Sequence, residues 1–184
     1  MVINWEVKNK KEFIFRVDSR SQMPKVLIIS DTHENYELLE QVLMDNQDCE
    51  FLIHLGDEPT DLDVFDDLID KMQIFSVFGI YNPLWSKETA CKSFTISDTH
   101  FVIAHTIHDL HVCQQSCGIY CFGHTHHQYF EIEDEKVLIN PGHLKNEIDR
   151  GEIAGYAVME MSEELHVSFF DFQKNLLEEH QIII

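Results

Sequence analysis

Three short, unbroken apolar runs do most to limit what this chain can fold into: KVLIIS (Lys25 to Ser30), FLIHLG (Phe51 to Gly56) and IFSVFG (Ile74 to Gly79). A run without polar alternation is what a strand covered on both faces looks like. Between the first two runs, Asn35 to Met44 sets Leu38, Leu39, Val42 and Leu43 at helical spacing. Between the second and third, Pro59 to Met72 sets Leu62, Phe65, Leu68 and Ile69 on one face, with Pro59 suited to a first helical turn. Strand, helix, strand, helix, strand implies right-handed crossovers and a parallel sheet.

After Pro83 the pattern turns to hairpins. KSFTI pairs with HFVIAH, QYFEIED with EKVLIN, and AGYAVMEM with ELHVSFFDF, while a helix is expected over Asp109 to Cys117 and a short strand at IYCFG. The expected fold class is therefore α/β: two mixed β-sheets packed face to face with flanking helices. Residues 25–184 read as a single domain, and 1–24 as an N-terminal extension whose EFIFRVD could add an edge strand.

Charge narrows the partners. Against 13 Lys and Arg stand 33 Asp and Glu, a net −20 that repels long nucleic acids and anionic membrane surfaces. A small phosphorylated substrate would need local positive charge, which a bound metal supplies. Met1 to Ser21 lacks a basic segment followed by an apolar run, and no window approaches a membrane span, so a cytoplasmic protein is expected. The odd cysteine count suits free thiols. Cys113, Cys117 and Cys121 recur every four residues without the C-x2-C hook of structural zinc sites, and read as small buried hydrophobes.

Functional groups in α/β folds gather past the carboxyl ends of parallel strands. There the chain places Asp31 and His33 in SDTH, Asp57 in HLGD, His105 after FVIA, and His124 and His126 in GHTHH. Two carboxylates and four imidazoles form a mixed N/O donor set that suits Mn, Fe, Zn, Co or Ni better than Ca or Mg. SDTH recurs at Ser97 to His100, but inside an expected hairpin turn, where Asp98 and His100 read as solvated. His54 reads either as an orienting partner of a ligand or as a satisfied buried histidine. His111, His127, His166 and His180 read as surface residues, as does the charged face of DEPTDLDVFDDLID.

The ordered set D-x-H, G-D, a G-N-x-D-like turn, a lone strand-end His, G-H-T-H and N-P-G resembles the calcineurin-like metallophosphoesterases, most closely their small, capless bacterial and archaeal phosphodiesterases. The resemblance runs from Val26 to about Phe172. It implies a four-layer αββα sandwich and a cytoplasmic hydrolase of phosphodiesters or activated phosphomonoesters, acting through a hydroxide that bridges two divalent transition metals, with manganese foremost. By the same resemblance Asp31, His33 and His126 bind the first metal, Asp57 bridges, and His105 and His124 bind the second.

The family's Asn ligand does not match. GIYNP puts Ile80 at its place, so the position falls to water or, through a shifted turn, to Asn82. Tyr81 stands where many relatives carry a His that protonates the leaving group, which leaves water or His108 for that step. His143 follows N-P-G where Ser is usual, and Arg150 is the candidate cation on the substrate side, a plain surface arginine being the alternative. Relatives often pair, and the hydrophobic residues of 1–24 offer a surface for homo-oligomers. The alternative reading is a non-catalytic metal-binding or protein-interaction scaffold, the role of the retromer scaffold subunit, which the fold also resembles.

Overall fold

The computed structural model describes residues 23–87, 89–113, 118–162 and 164–183. In chain order the strands and helices are β1 (Lys25–Ile29), α1 (Tyr36–Asp45), β2 (Phe51–His54), α2 (Asp66–Ile69), β3 (Gln73–Ser76), β4 (Cys91–Ile96), β5 (Thr99–Ala104), β6 (Gly118–Cys121), β7 (Gln128–Glu133) and β8 (Lys136–Pro141). Then come β9 (Ile148–Asp149), β10 (Glu152–Ile153), β11 (Gly155–Met161), β12 (Glu164–Asp171) and β13 (Leu176–Ile183). Two 3-10 helices, Pro59–Val64 and Asp109–Val112, complete the set.

They form two mixed sheets, ordered β13-β12-β11-β1-β2-β3 and β4-β5-β6-β8-β7, plus the small β9-β10 hairpin. β1, β2 and β3 pair in parallel, as the three apolar runs predict. In β1 successive side chains alternate between cores. Val26 and Ile28 enter the layer between the sheets, with Ile53, Phe101, Ile103, Ile139, Met159 and Phe169. Leu27 and Ile29 face outward onto Leu39, Val42 and Leu43 of α1. Asn35 caps α1 by accepting the Leu38 N–H at 3.3 Å. A third cluster, Val102, Ala104, Leu110, Tyr120 and Phe122, covers the outer face of the second sheet.

Several expectations are corrected. The helix over Pro59 to Met72 is a 3-10 stretch and a single α turn, interrupted at Phe65. Asp61 is not on a solvated face: it is buried, accepting from the Thr32 hydroxyl at 2.6 Å and the Glu34 N–H at 2.8 Å. β3 is an edge strand rather than a covered one, and Ile74 is exposed. The helix after Asp109 is a 3-10 turn to Val112, and 114–117 lie outside the described residues, as does the expected edge strand within 1–22. β13 and the β9-β10 hairpin were not anticipated. His180 is half-buried: it lies in β13 itself, and its ring stacks on Phe130 of the other sheet at 3.6 Å with Phe169 of β12 edge-on beside it.

The free-thiol expectation also fails at one pair. The loop after β5 folds back over the start of β4 and brings Cys91 and Cys113 together as a disulfide, Cα atoms 6.1 Å apart. Cys49 and Cys121 are free and buried. Burial raises the Cys49 thiol to about 12 and pushes Cys121 up as well, so both stay protonated. Among the described residues no helix is long and apolar enough to cross a membrane.

Candidate metal centre

The strand ends converge as the topology requires. β1 and β2 deliver SDTH and HLGD from one sheet, while β5 and β6 deliver His105 and GHTHH from the other. The ligand-type atoms of Asp31, His33 and His126 all lie within 4.8 Å of one another, and so do those of Asp57, His105 and His124. Asp57 faces both groups: Oδ1 is 3.4 Å from His105 Nε2, and Oδ2 is 3.4 Å from His33 Nε2. The His33 and His126 rings are 5.8 Å apart, and His105 Nε2 lies 3.2 Å from His124 Nδ1.

The backbone is strained at this place. Asp31, His33, Asp57, His124 and His126 all hold left-handed φ angles between 46° and 68°. For a non-glycine residue such a conformation costs about 1–3 kcal/mol, and it persists where surroundings over-determine it, most often at functional sites. His105, still in line with β5, is the exception.

Hydrogen bonds fix which nitrogens look inward. His105 Nδ1 donates to the Leu55 carbonyl at 2.8 Å, and His126 Nδ1 donates to Asp149 Oδ2 at 2.6 Å. With Nδ1 so engaged, it is Nε2 of each imidazole that faces the cluster, and in the neutral ring that nitrogen carries the lone pair a cation would use. Asp31 Oδ2 accepts from the Ser30 hydroxyl at 2.5 Å and from the His124 N–H at 2.9 Å. Its Oδ1 is buried without a hydrogen-bond partner and faces His126 Nε2 at 3.2 Å. That separation is short, yet an acceptor facing a lone pair is not a hydrogen bond. A cation between them satisfies both, so the donor set fits a divalent metal.

Burial opposes charge on Asp31. Without a cation, the facing imidazoles of His126 and His105, when they carry a second proton, outweigh it together with Ser30 and hold the carboxyl at about 2. A metal ion would take over that positive charge. Burial and the neighbouring His105 lower His124, which keeps it neutral and able to coordinate. Burial takes His54 down to about 3. Neutral His54 accepts the Gly56 N–H at Nδ1 and meets the Thr32 hydroxyl at Nε2, 3.3 Å away, so it braces the residue between Asp31 and His33.

Asp149 escaped the sequence reading: it sits 23 residues beyond His126 and reaches it only through the β9-β10 hairpin. Asn140 of N-P-G holds the GHTHH turn, donating to the Gly123 carbonyl at 2.9 Å and to Thr125 Oγ1 at 3.0 Å. His143 is buried and stacks on His126 with centroids 4.9 Å apart. Asn82 is brought to a local turn: its Oδ1 accepts the Leu84 N–H at 2.9 Å. His108 and His127 are exposed outside both triads, and His127 pairs with Glu152. Asp98 is exposed in its hairpin turn, whereas His100 lies within β5 against Thr95.

Gly79 is required for space. A Cβ there would overlap Asp57 Oδ1, while the backbone itself is ordinary. Because that Cβ would also press on the Asp57 backbone nitrogen, Gly79→Ala is expected to displace Asp57 and weaken divalent-ion binding roughly 10–100-fold, as loss of a ligand's support typically does. Calorimetric titration with manganese checks this; an unchanged affinity would remove Gly79 from the argument.

The fold and these triads define an α/β sandwich with a candidate two-cation centre at its strand ends. The chain belongs to the calcineurin-like phosphoesterase superfamily, whose domain matches residues 24–164. Among solved structures, the phosphoesterase YfcE of E. coli superposes with a TM-score of 0.64 at 16% identity, covering 85% of this chain and 98% of that one. A novel archaeal phosphodiesterase gives 0.57 at 22% identity, covering 87% and 99%. Vacuolar Protein Sorting 29 from Cryptosporidium parvum gives 0.65 at 15% identity, covering 88% and 99%. At these identities the likeness concerns the fold. No curated protein matches the chain by sequence.

Proposed function

We propose that the chain is a metal-dependent hydrolase of phosphodiesters or activated phosphomonoesters. The observation that carries this reading is Asp57, whose two oxygens each face a different histidine-bearing triad. On it, Asp31, His33 and His126 would hold one ion, His105 and His124 the other, and Asp57 would serve both. Two divalent ions there, manganese foremost, would supply positive charge to phosphoryl oxygens and lower the pKa of a bound water towards neutrality. The chain's own part is to orient. Leu55 and Asp149 fix the two imidazole tautomers, and the buried Ser30 and the His124 N–H hold Asp31. The position that Ile80 leaves would fall to water, since Asn82 Oδ1 already serves Leu84. Exposed His108, three residues past His105, and solvent are the available proton donors for the leaving group.

Ile80 also favours a second reading, a scaffold of the same fold that binds metal or protein without catalysis. One experiment separates them: chelate the protein, reload it with Mn, Ni, Zn or Mg, and follow metal content together with bis(p-nitrophenyl) phosphate cleavage. The hydrolase reading expects about two ions per chain and turnover abolished by chelator. Metal retained without turnover selects the scaffold, and a chain that takes up no metal refutes the hydrolase.

A further inference from the structure

A chain of net charge −20 must attract an anionic substrate against its own field. Of its three arginines, Arg16 and Arg20 lie outside the described residues, and Arg150 is set against the candidate metal centre. It occupies the turn of the β9-β10 hairpin, where Asp149 pairs with Glu152. Arg150 has φ 54° and Gly151 φ 89°, a tight left-handed turn that aims the side chain back at the ligand loop.

Arg150 Nη1 donates to the His124 carbonyl at 2.9 Å, and its Nε lies 3.6 Å from Asp149 Oδ2. That same oxygen takes the His126 Nδ1–H, while Asp149 Oδ1 is 3.2 Å from Lys145 Nζ. Asp149 and Arg150 of this hairpin thus tie a guanidinium and the Lys145 ammonium to His124 and His126, the two triad histidines of GHTHH. The ion pair does not account for this placement, because a half-exposed pair contributes little stability. A guanidinium carries five N–H donors, and the His124 carbonyl and Asp149 engage only some of them. The rest form a fork of the kind that matches phosphate oxygens.

We propose that Arg150 is a phosphate-binding residue of this site, contacting a non-bridging phosphoryl oxygen of the substrate, with Asp149 as the positioning residue that holds both the guanidinium and the His126 ring. The proposal rests on the phosphoesterase reading above but is tested apart from it. Metal-loaded, full-length wild type, Arg150→Ala and Arg150→Lys are titrated calorimetrically with inorganic phosphate, with metal content measured in each. Turnover of bis(p-nitrophenyl) phosphate is followed in parallel.

Arg150→Ala is expected to bind phosphate about 10-fold more weakly, the effect of losing one charge-assisted hydrogen bond. KM for the diester rises by a similar factor and kcat falls less, with metal content equal to wild type. Arg150→Lys recovers part of the affinity, having charge without the fork. Phosphate affinity unchanged in Arg150→Ala overturns the proposal, as does loss of metal from that variant, which would make the residue a brace for the turn. Wild type that binds metal and no phosphate overturns it too. Wild type that binds phosphate without cleaving the diester removes the hydrolase reading alone, and the comparison of phosphate affinities still decides Arg150.

Discussion

Asp57→Asn is expected to lower metal-dependent diester cleavage by at least about 100-fold, more than loss of a ligand's outer partner typically costs. The two side chains have the same shape, so Gly79 still packs against position 57 and the fold is kept. What changes is the shared carboxylate. One oxygen facing His105 or His33 at 3.4 Å becomes an NH2 that donates where a cation's ligand is needed, and a unit of negative charge is lost between two cations. Both ions should therefore bind more weakly, in contrast to a substitution confined to one triad. Metal content, kcat and thermal midpoint on the same preparation check this. A variant that keeps about two ions and cleaves within tenfold of wild type would show that Asp57 is not the shared ligand, and the proposed mechanism would go with it.

The placement of these groups was legible because each lies where an apolar strand run gives way to a turn. Val26 to Ile29, Leu52 to His54 and Phe101 to Ala104 announce themselves as strands, and their ends follow from topology. What lay beyond the sequence depends on contacts made only after folding. Pro59 to Met72 has helical spacing, yet buried Asp61 turns inward to brace Thr32 and Glu34, so a charge that reads as solvated belongs to the interior. IFSVFG is as apolar as its neighbours, but the sheet ends with it. Asp149 bears on His126 through a hairpin of two-residue strands, too short to show a period of its own. Its one local signal was the D-R-G turn, which needs left-handed backbone at consecutive residues. Cys91 and Cys113, 22 residues apart, are joined by the path of a loop that no spacing rule fixes.

Asp31→Asn is expected to stabilise the metal-free protein while removing its stabilisation by metal. The chain holds Asp31 fully buried, with Oδ2 served by Ser30 and the His124 N–H, and Oδ1 facing the His126 Nε2 lone pair unpaired. An asparagine keeps its oxygen on the two donors and turns its NH2 to His126, so an orphaned acceptor becomes a donor with a partner. Relief of a buried unsatisfied group is worth about 1–3 kcal/mol. In a domain of this size that raises the thermal midpoint of chelated protein by roughly 2–10 °C, at pH 8 where an imidazole is ordinarily neutral. Metal at about a thousandfold excess over Kd adds some 4 kcal/mol to wild type. The variant, with an amide N–H pointing at the ion, gains little of it. Metal-loaded wild type should thus melt highest, the variant next whether or not metal is added, and chelated wild type lowest. A chelated variant that melts below chelated wild type would mean that Asp31 and His126 already satisfy each other, and the case for a cation between them would fail at its most buried atom.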